Sequence, residues 1–396
     1  MENELKTNKN SAKVSLLTLV LAFVCFLTNI SQHPELVDAG ATQFLAIPAW
    51  ILLALFLAMA RSFSLHRDVI VVLSCALVFS VMLALYTIFF EHPYFESATT
   101  YSFYLSVFVF LIGALCARYV TKEVLRHVAL VYVISALAVA LAIYIQFFVG
   151  NEDVFAELYV YRSKNSFAQI VLVAIVLLLT VIRPKGRILV LLKYICAAFL
   201  IYLLFILRSR ATIVSFAVVT LLILLLQRRF QPSAKERHIL LVAVLVLAAF
   251  LIFHAEFRSI FVDGILLVSR ENESLDAISS GRLSLLHDYW PLLCENYGVG
   301  IGDFYLDCFP FATLIQFGIF ASIPLFAVAL YPLVRACRRS VYGEDWRFVL
   351  LLIAAAYLAN SLFECLPPFG PGVKCYFLWL LLGIVVGGGK PDRSRV

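Results

Sequence analysis

Apolar runs of roughly 20 residues recur along almost the whole chain, and this feature constrains the fold more than any other. A helix of that length crosses the hydrocarbon core of a bilayer. Hydrophobic residues make up 63% of the 396 residues and charged residues only 14%, which excludes an ordinary soluble domain. The sequence therefore predicts an all-α, multi-pass membrane protein in which residues 1–396 form a single integral membrane domain.

A window of roughly 19 residues, moved along the chain, gives about twelve candidate spans. They start near Val14, Phe44, Asp68, Thr100, Val128, Phe167, Ile188, Ala211, His238, Phe309, Phe348 and Tyr376. The first run follows three lysines in the manner of a signal peptide, but no small-residue cleavage site comes after it. We therefore expect it to be retained as the first helix.

Lysines and arginines are distributed unevenly between the segments that join these spans. With the N-terminus in the cytoplasm, most of the 31 lysines and arginines fall in cytoplasmic segments, as the positive-inside rule requires. This asymmetry predicts that both termini are cytoplasmic. The net charge of +6 then follows from membrane orientation and does not indicate nucleic-acid binding.

The longest segment on the predicted outer face runs from Ala255 to Cys308, residues 255–308, between the ninth and tenth spans. Within it, "GILLVS" and "LSLLHDYWPLL" place apolar residues at helical spacing. This pattern is typical of short helices that lie on a membrane surface. We expect a folded lid over a site, the alternative being a solvated connector.

Some basic residues fall on the predicted outer face, where the positive-inside rule does not favour them. They are Arg162, Lys164, Arg208, Arg210, Arg258, Arg270, Arg282 and Lys374. A basic side chain can snorkel to the interface or pair with an outer acid, but Arg208 and Arg210 stand between two long apolar spans with almost no loop. Guanidinium groups at such a boundary suit phosphate oxygens, because each planar group donates two hydrogen bonds. Side chains two residues apart face different sides of a helix, so we expect only Arg210 to reach the ligand.

Five motifs occur in a recognisable order: "YRSKNSFAQI", "LRSRATIVSF", "SGRLSLLHDYW", "YGVGIGDF" and "ATLIQFGIFASIPLF". With this order, the number of spans and the long outer segment, the chain resembles the bacterial O-antigen polymerase and O-antigen ligase superfamily. The resemblance covers the central and C-terminal parts of the chain. It implies a GT-C-like fold in the bacterial inner membrane, with an active site that faces the periplasm.

The resemblance also implies roles for particular residues. Arg210 and Arg282 match the arginines of the family's Ser-Arg and Gly-Arg motifs. The glycine-rich turn corresponds to Gly298, Gly300 and Gly302, and Gly318 closes the last motif. As substrate-binding residues we expect Arg208, Arg162, Lys164, Asn165, Tyr289, Trp290 and Gly300.

One position departs from the ligases, which carry a His-Asn pair shortly before the position of Gly318. Here that position holds Asp307 and Cys308, and the nearest histidine, His287, lies in the outer segment. The departure favours the polymerase branch. Asp307, Asp303 and His287 remain alternative candidates for the group that takes the proton of the attacking hydroxyl.

The family acts on oligosaccharides linked through diphosphate to undecaprenol. A polymerase transfers the growing glycan from its lipid carrier onto the next lipid-linked repeat unit, and arginines would stabilise the diphosphate leaving group without a metal or cofactor. The implied partners are the donor and acceptor lipids, the membrane and a chain-length regulator. The alternatives are an O-antigen ligase, which transfers the glycan to lipid A-core, and a transporter of lipid-linked sugars.

Four of the nine cysteines fall on the predicted outer face, where disulfides can form. We expect two local bridges, Cys294–Cys308 and Cys365–Cys375, the alternatives being other pairings or four free thiols. The nine cysteines form no CxxC motif and no Cys/His cluster with metal-ligand spacing, so the sequence predicts no metal site.

Overall fold

The computed structural model describes residues 2–59, 66–90, 96–149, 163–226, 281–302, 304–337 and 344–388. Within these ranges the regular secondary structure is helical throughout, which confirms the all-α prediction. The helices are α1 (Glu2–Ile30), α2 (Pro34–Asp38), α3 (Ile47–Met59), α4 (Arg67–Phe90), α5 (Ala98–Cys116), α6 (Lys122–Phe147), α7 (Lys164–Thr180), α8 (Arg187–Ile206), α9 (Arg210–Leu226), α10 (Arg282–Glu295), α11 (Phe309–Cys337), α12 (Glu344–Ser361) and α13 (Tyr376–Gly387). A π-helical turn, Thr42–Ala46, leads into α3.

The predicted spans correspond to α1, α3 to α9 and α11 to α13, and the predicted start near His238 lies outside the described residues. Helices α4, α5, α6, α8 and α11 are long and apolar enough to cross a membrane. The other helices matched to spans contain shorter apolar stretches of 10–17 residues, such as Leu16–Ile30 in α1. The described part of the chain thus has the character of a membrane-embedded bundle, and the number of about twelve spans stays a prediction.

The last helix, α13, is buried along its whole length, as expected for a helix that is surrounded by other helices. It approaches α5 closely because glycines lie in the contact. A Cβ at Gly113 would lie 2.4 Å from the Leu380 carbonyl oxygen, and one at Gly383 would lie 2.2 Å from that of Phe110. Small residues permit such close packing in membrane bundles, so alanine at either position would push the two helices apart.

Buried polar side chains join the helices around α13. Asn29 of α1 donates from Nδ2 to Ser135 Oγ of α6 at 2.8 Å, and its Oδ1 accepts from the Tyr376 hydroxyl of α13 at 3.1 Å. Elsewhere in the bundle, Arg335 Nη2 of α11 lies 3.0 Å from Asp68 Oδ2 at the start of α4. These contacts fix which helices are neighbours, because a polar group inside an apolar bundle is costly unless it is paired.

Helix α11 is interrupted at Gly318, whose φ of 75° and ψ of 175° are not helical. The glycine turn that follows α10 packs into this break, where Ile319 N donates to Gly298 O at 2.9 Å. A Cβ at Gly300 would lie 2.1 Å from Gln316 O. Packing against α11 therefore explains the glycine at this position, and the role of Gly300 in substrate binding stays a prediction.

Candidate active site

Three helices bring polar residues to one end of the bundle. Helices α7 and α9 begin there and α12 ends there, and the three pack against one another. Asn165 Nδ2 of α7 donates to Glu364 Oε1, just after α12, at 2.8 Å. One turn deeper, Gln169 Nε2 donates to Asn360 Oδ1 at 3.1 Å, and Asn360 Nδ2 donates to Thr212 Oγ1 at 3.2 Å. We call these five residues the polar ladder.

An ionic cluster adjoins the outermost member of the ladder. Arg282, the first residue of α10, donates from Nη2 to the Phe363 carbonyl oxygen at 3.2 Å, and this nitrogen lies 3.6 Å from Asp307 Oδ2. The other carboxylate oxygen of Asp307 accepts from the Tyr305 hydroxyl at 2.7 Å. We call Arg282, Tyr305, Asp307 and Glu364 the Arg282 cluster. The structure thus brings together two of the predicted catalytic residues, Arg282 and Asp307.

Glu364 is a mostly buried carboxyl within this cluster. Burial raises its pKa, and the negative charge of Asp307 raises it further. Arg282, Asn165 and Lys374 act in the opposite direction, and the result is a pKa of about 7. A carboxyl with this pKa gains and loses a proton near neutral pH.

Lys374 lies in the loop between α12 and α13, and its side chain is buried. Burial lowers the pKa of its ammonium group to about 8, while Cys375 and Glu364 favour the charged form. The sequence predicts only that Lys374 is an outer basic residue, whereas the structure places it beside the Arg282 cluster.

A second group of cations lies at the start of α7. The positive charges of Arg208 and Arg210 both act on the Lys164 ammonium group. Arg208 lies in the short link between α8 and α9 with a left-handed φ of 51°, and Arg210 is the first residue of α9. The expectation that these two arginines face different sides of a helix is therefore wrong, because Arg208 precedes the helix. We call Lys164, Arg208 and Arg210 the Lys164 cluster.

The Lys164 cluster combines two sources of positive potential. Side-chain cations are close together, and α7 and α9 both begin there with their backbone N–H groups directed outward. Helix N-termini and arginines are each favourable sites for phosphate oxygens. The arrangement is suited to hold a multiply charged anion at this end of the bundle.

Other predicted site residues lie away from these clusters or outside the described residues. The His287 side chain is 89% exposed, and its Nδ1 lies 3.4 Å from Asp288 Oδ1. The Tyr289 ring packs on Phe304 with ring centroids 4.7 Å apart. Trp290 is exposed on the same helix, whereas Arg162 and Asp303 lie outside the described residues.

The two expected disulfides are wrong, because Cys294, Cys308, Cys365 and Cys375 are all free thiols in the structure. Cys294 is exposed on α10, while Cys308 packs with buried Cys365 in one small apolar cluster. Cys375 is buried, and its thiol donates to the Gly370 carbonyl oxygen at 3.6 Å.

Sequence reasoning missed Glu364 and the ladder below it. A signal was present, because Asn165 and Gln169 are four residues apart, as are Asn360 and Glu364. Residues at this spacing lie on one face of a helix. Two such polar pairs at the ends of apolar spans indicate two polar helix faces that need partners.

Comparisons with known proteins give no identification. No protein-family model matches the chain, and no curated protein matches it significantly. Within the described residues, no group of three or more His, Cys, Asp or Glu side chains is placed to hold a metal ion. Functional inference therefore depends on the two clusters and on the resemblance of the motifs.

Proposed function

We propose that this protein is an O-antigen or surface-polysaccharide polymerase of the bacterial inner membrane. It transfers a glycan from undecaprenyl diphosphate onto another lipid-linked repeat unit at the periplasmic face. The observation that carries the proposal is the meeting of the Lys164 and Arg282 clusters at one end of an apolar helical bundle. Four of their residues, Lys164, Arg208, Arg210 and Arg282, lie in motifs that resemble those of the family.

The Lys164 cluster supplies what the leaving group needs. When the bond between the donor sugar and the diphosphate breaks, negative charge grows on the diphosphate oxygens. Arginines fixed at a membrane boundary stabilise that charge strongly, because little water is present to do so. Arg210 donates directly to the diphosphate, and Arg208 and Lys164 add positive potential beside it.

The Arg282 cluster supplies the groups that an attacking hydroxyl needs. It contains carboxyl groups that can accept a proton, and Arg282 fixes the orientation of Asp307. Helix α10 lies in the predicted outer segment, and Trp290 is exposed on it where a sugar face can stack. On this proposal α10 brings Arg282 to the end of the bundle and carries Trp290 further along the same helix.

The test is alanine substitution of the two motif arginines, Arg210 and Arg282. Each variant should reduce polymer formation by about 10²-fold or more, as loss of a transition-state donor does. Lysine should restore little activity, because its point charge lacks the planar pair of donors. Arg187→Ala is the matched control, since Arg187 is exposed at the start of α8. Near wild-type rates in both alanine variants that insert normally would refute the diphosphate role.

Deletion of the gene distinguishes this activity from its closest alternative. A polymerase mutant makes lipopolysaccharide or capsule with a single repeat unit, which gel electrophoresis detects. A ligase mutant instead accumulates lipid-linked polymer that never reaches lipid A. Unchanged polymer lengths in the deletion strain would refute both activities.

A further inference from the structure

Glu364 belongs to the Arg282 cluster, but the roles proposed for Arg210 and Arg282 do not account for it. Its backbone carbonyl oxygen accepts from Phe309 N at the start of α11 at 3.1 Å, and its neighbour Phe363 accepts from Arg282. Its carboxylate oxygen Oε1 accepts from Asn165 Nδ2 of α7 at 2.8 Å. Helices α7 and α11 therefore hold Glu364 itself, and α10 holds the residue before it, just after the end of α12.

The two carboxylates of the Arg282 cluster differ in their free capacity to accept a proton. Asp307 uses Oδ2 toward Arg282 and Oδ1 toward Tyr305, so both oxygens are engaged. Glu364 uses Oε1 toward Asn165, and Oε2 makes no hydrogen bond to the part of the chain that the structure describes. An oxygen without such a bond keeps its capacity to accept a proton.

Charged and titratable groups surround Glu364 on several sides. They are Asp307, Tyr305, Arg282, Lys374 and Cys365. The nearby cations keep the ionised form accessible, while burial and Asp307 favour the protonated form, which gives a pKa of about 7. A general base works best when its pKa lies near the operating pH.

We infer that Glu364 is the general base of the transfer reaction and that Asp307 is a positioning residue for Arg282. The inference rests on the proposed function. It assigns the base to a residue outside the sequence motifs, and it gives Asn165 the task of orienting the Glu364 carboxylate. His287 has no part in this proton transfer.

The step balances without a further reactant. The acceptor hydroxyl gives its proton to Glu364 Oε2 while its oxygen forms a bond to the anomeric carbon of the donor glycan. The bond from that carbon to the diphosphate oxygen breaks, and its electron pair leaves with the lipid diphosphate toward the Lys164 cluster. Glu364 then returns the proton to water.

The experiment compares Glu364→Gln with wild-type protein in proteoliposomes. The substrate is the lipid-linked repeat unit extracted from the deletion strain, and the measurement is polymer formation across pH 5.5 to 9. The glutamine variant should lose about 10²-fold or more in rate, the usual contribution of a general base. The wild-type rate should fall as pH drops through about 7, and this acidic limb should be absent from any residual activity of the variant. Glu295→Gln is the control, because Glu295 is exposed at the end of α10.

Several results would overturn the inference, each in a different way. If the wild-type protein catalyses transfer and a folded Glu364→Gln variant keeps the same rate and acidic limb, the role of Glu364 is refuted and the proposed function is not. An inactive wild-type protein refutes the proposed function, and the inference falls with it. Where the glutamine variant does not fold, labelling of the wild-type protein with a hydrophobic carbodiimide decides the matter. Glu364 should be labelled at pH 6 and protected at pH 8.5, and equal labelling at both values contradicts a titrating base.

Discussion

The break in α11 makes a quantitative prediction for Gly318→Ala. Gly318 has φ of 75° and ψ of 175°, a region that only glycine occupies readily, so alanine there costs roughly 1–3 kcal/mol of backbone strain. The new Cβ would also lie 2.4 Å from Gly298 O and 2.5 Å from Gly300 N. Both are backbone atoms in a packed turn, and overpacking of this kind costs a further 1–3 kcal/mol or so. We therefore expect a loss of about 2–6 kcal/mol in the free energy of unfolding.

A matched glycine separates the two contributions to this loss. Gly186 has φ of 108°, but a Cβ built there meets no atom within 4 Å. Gly186→Ala should therefore show strain alone, roughly 1–3 kcal/mol. The assay is denaturant unfolding of each purified variant in detergent, with size-exclusion profiles as a check on folding. Equal stability of the two variants would refute the claim that the glycine turn packs tightly into α11.

Three further predictions test the site and its orientation. Asn165→Leu should shift the acidic limb of the rate profile to higher pH, because Asn165 lowers the pKa of Glu364. Asp307→Asn should shift this limb to lower pH, because Asp307 raises the same pKa. Shifts of the same sign in the two variants would contradict the assignment. In single-cysteine variants in spheroplasts, an impermeant maleimide should label Cys294 but not Cys337, both of which are exposed, and the reverse pattern would invert the topology. Polymer formation in proteoliposomes should survive EDTA, because the Lys164 cluster supplies the positive charge, and an activity restored only by Mg²⁺ would contradict this mechanism.

The positions of the helices could be predicted from the sequence to a large extent. The predicted starts at Phe309 and Tyr376 coincide with the first residues of α11 and α13, because apolar runs and their polar ends mark spans directly. The predicted start near Val14 agrees with the apolar part of α1, Leu16–Ile30, although the helix itself begins at Glu2 with a polar extension. Hydropathy marks the apolar part of a helix and does not reveal a polar extension.

Part of the site could be predicted, from basic residues that run against the expected charge pattern and, for Asn165 and Asp307, from the resemblance of the motifs. Arg210 and Arg282 were found because arginine is unexpected on an outer face. In the structure Arg210 acts on the Lys164 ammonium group, and Arg282 lies 3.6 Å from Asp307. Glu364 was missed because an acid on that face agrees with the pattern. Its partner Asn165 is 199 residues away in sequence, and spacing along the chain does not show which helix ends meet in space.

The start of α7 links the two halves of the proposed reaction. Lys164 lies in the field of Arg208 and Arg210, while the next residue, Asn165, holds the carboxylate of Glu364. On the proposed function, adjacent residues of one helix thus belong to the cluster that holds the leaving diphosphate and to the hydrogen bond that orients the proton acceptor. Gln169 fixes this helix to Asn360 one turn deeper, within the buried bundle. If the proposed function holds, a displacement of the first turn of α7 would therefore disturb charge stabilisation and proton transfer together, and the ladder would serve catalysis as well as packing.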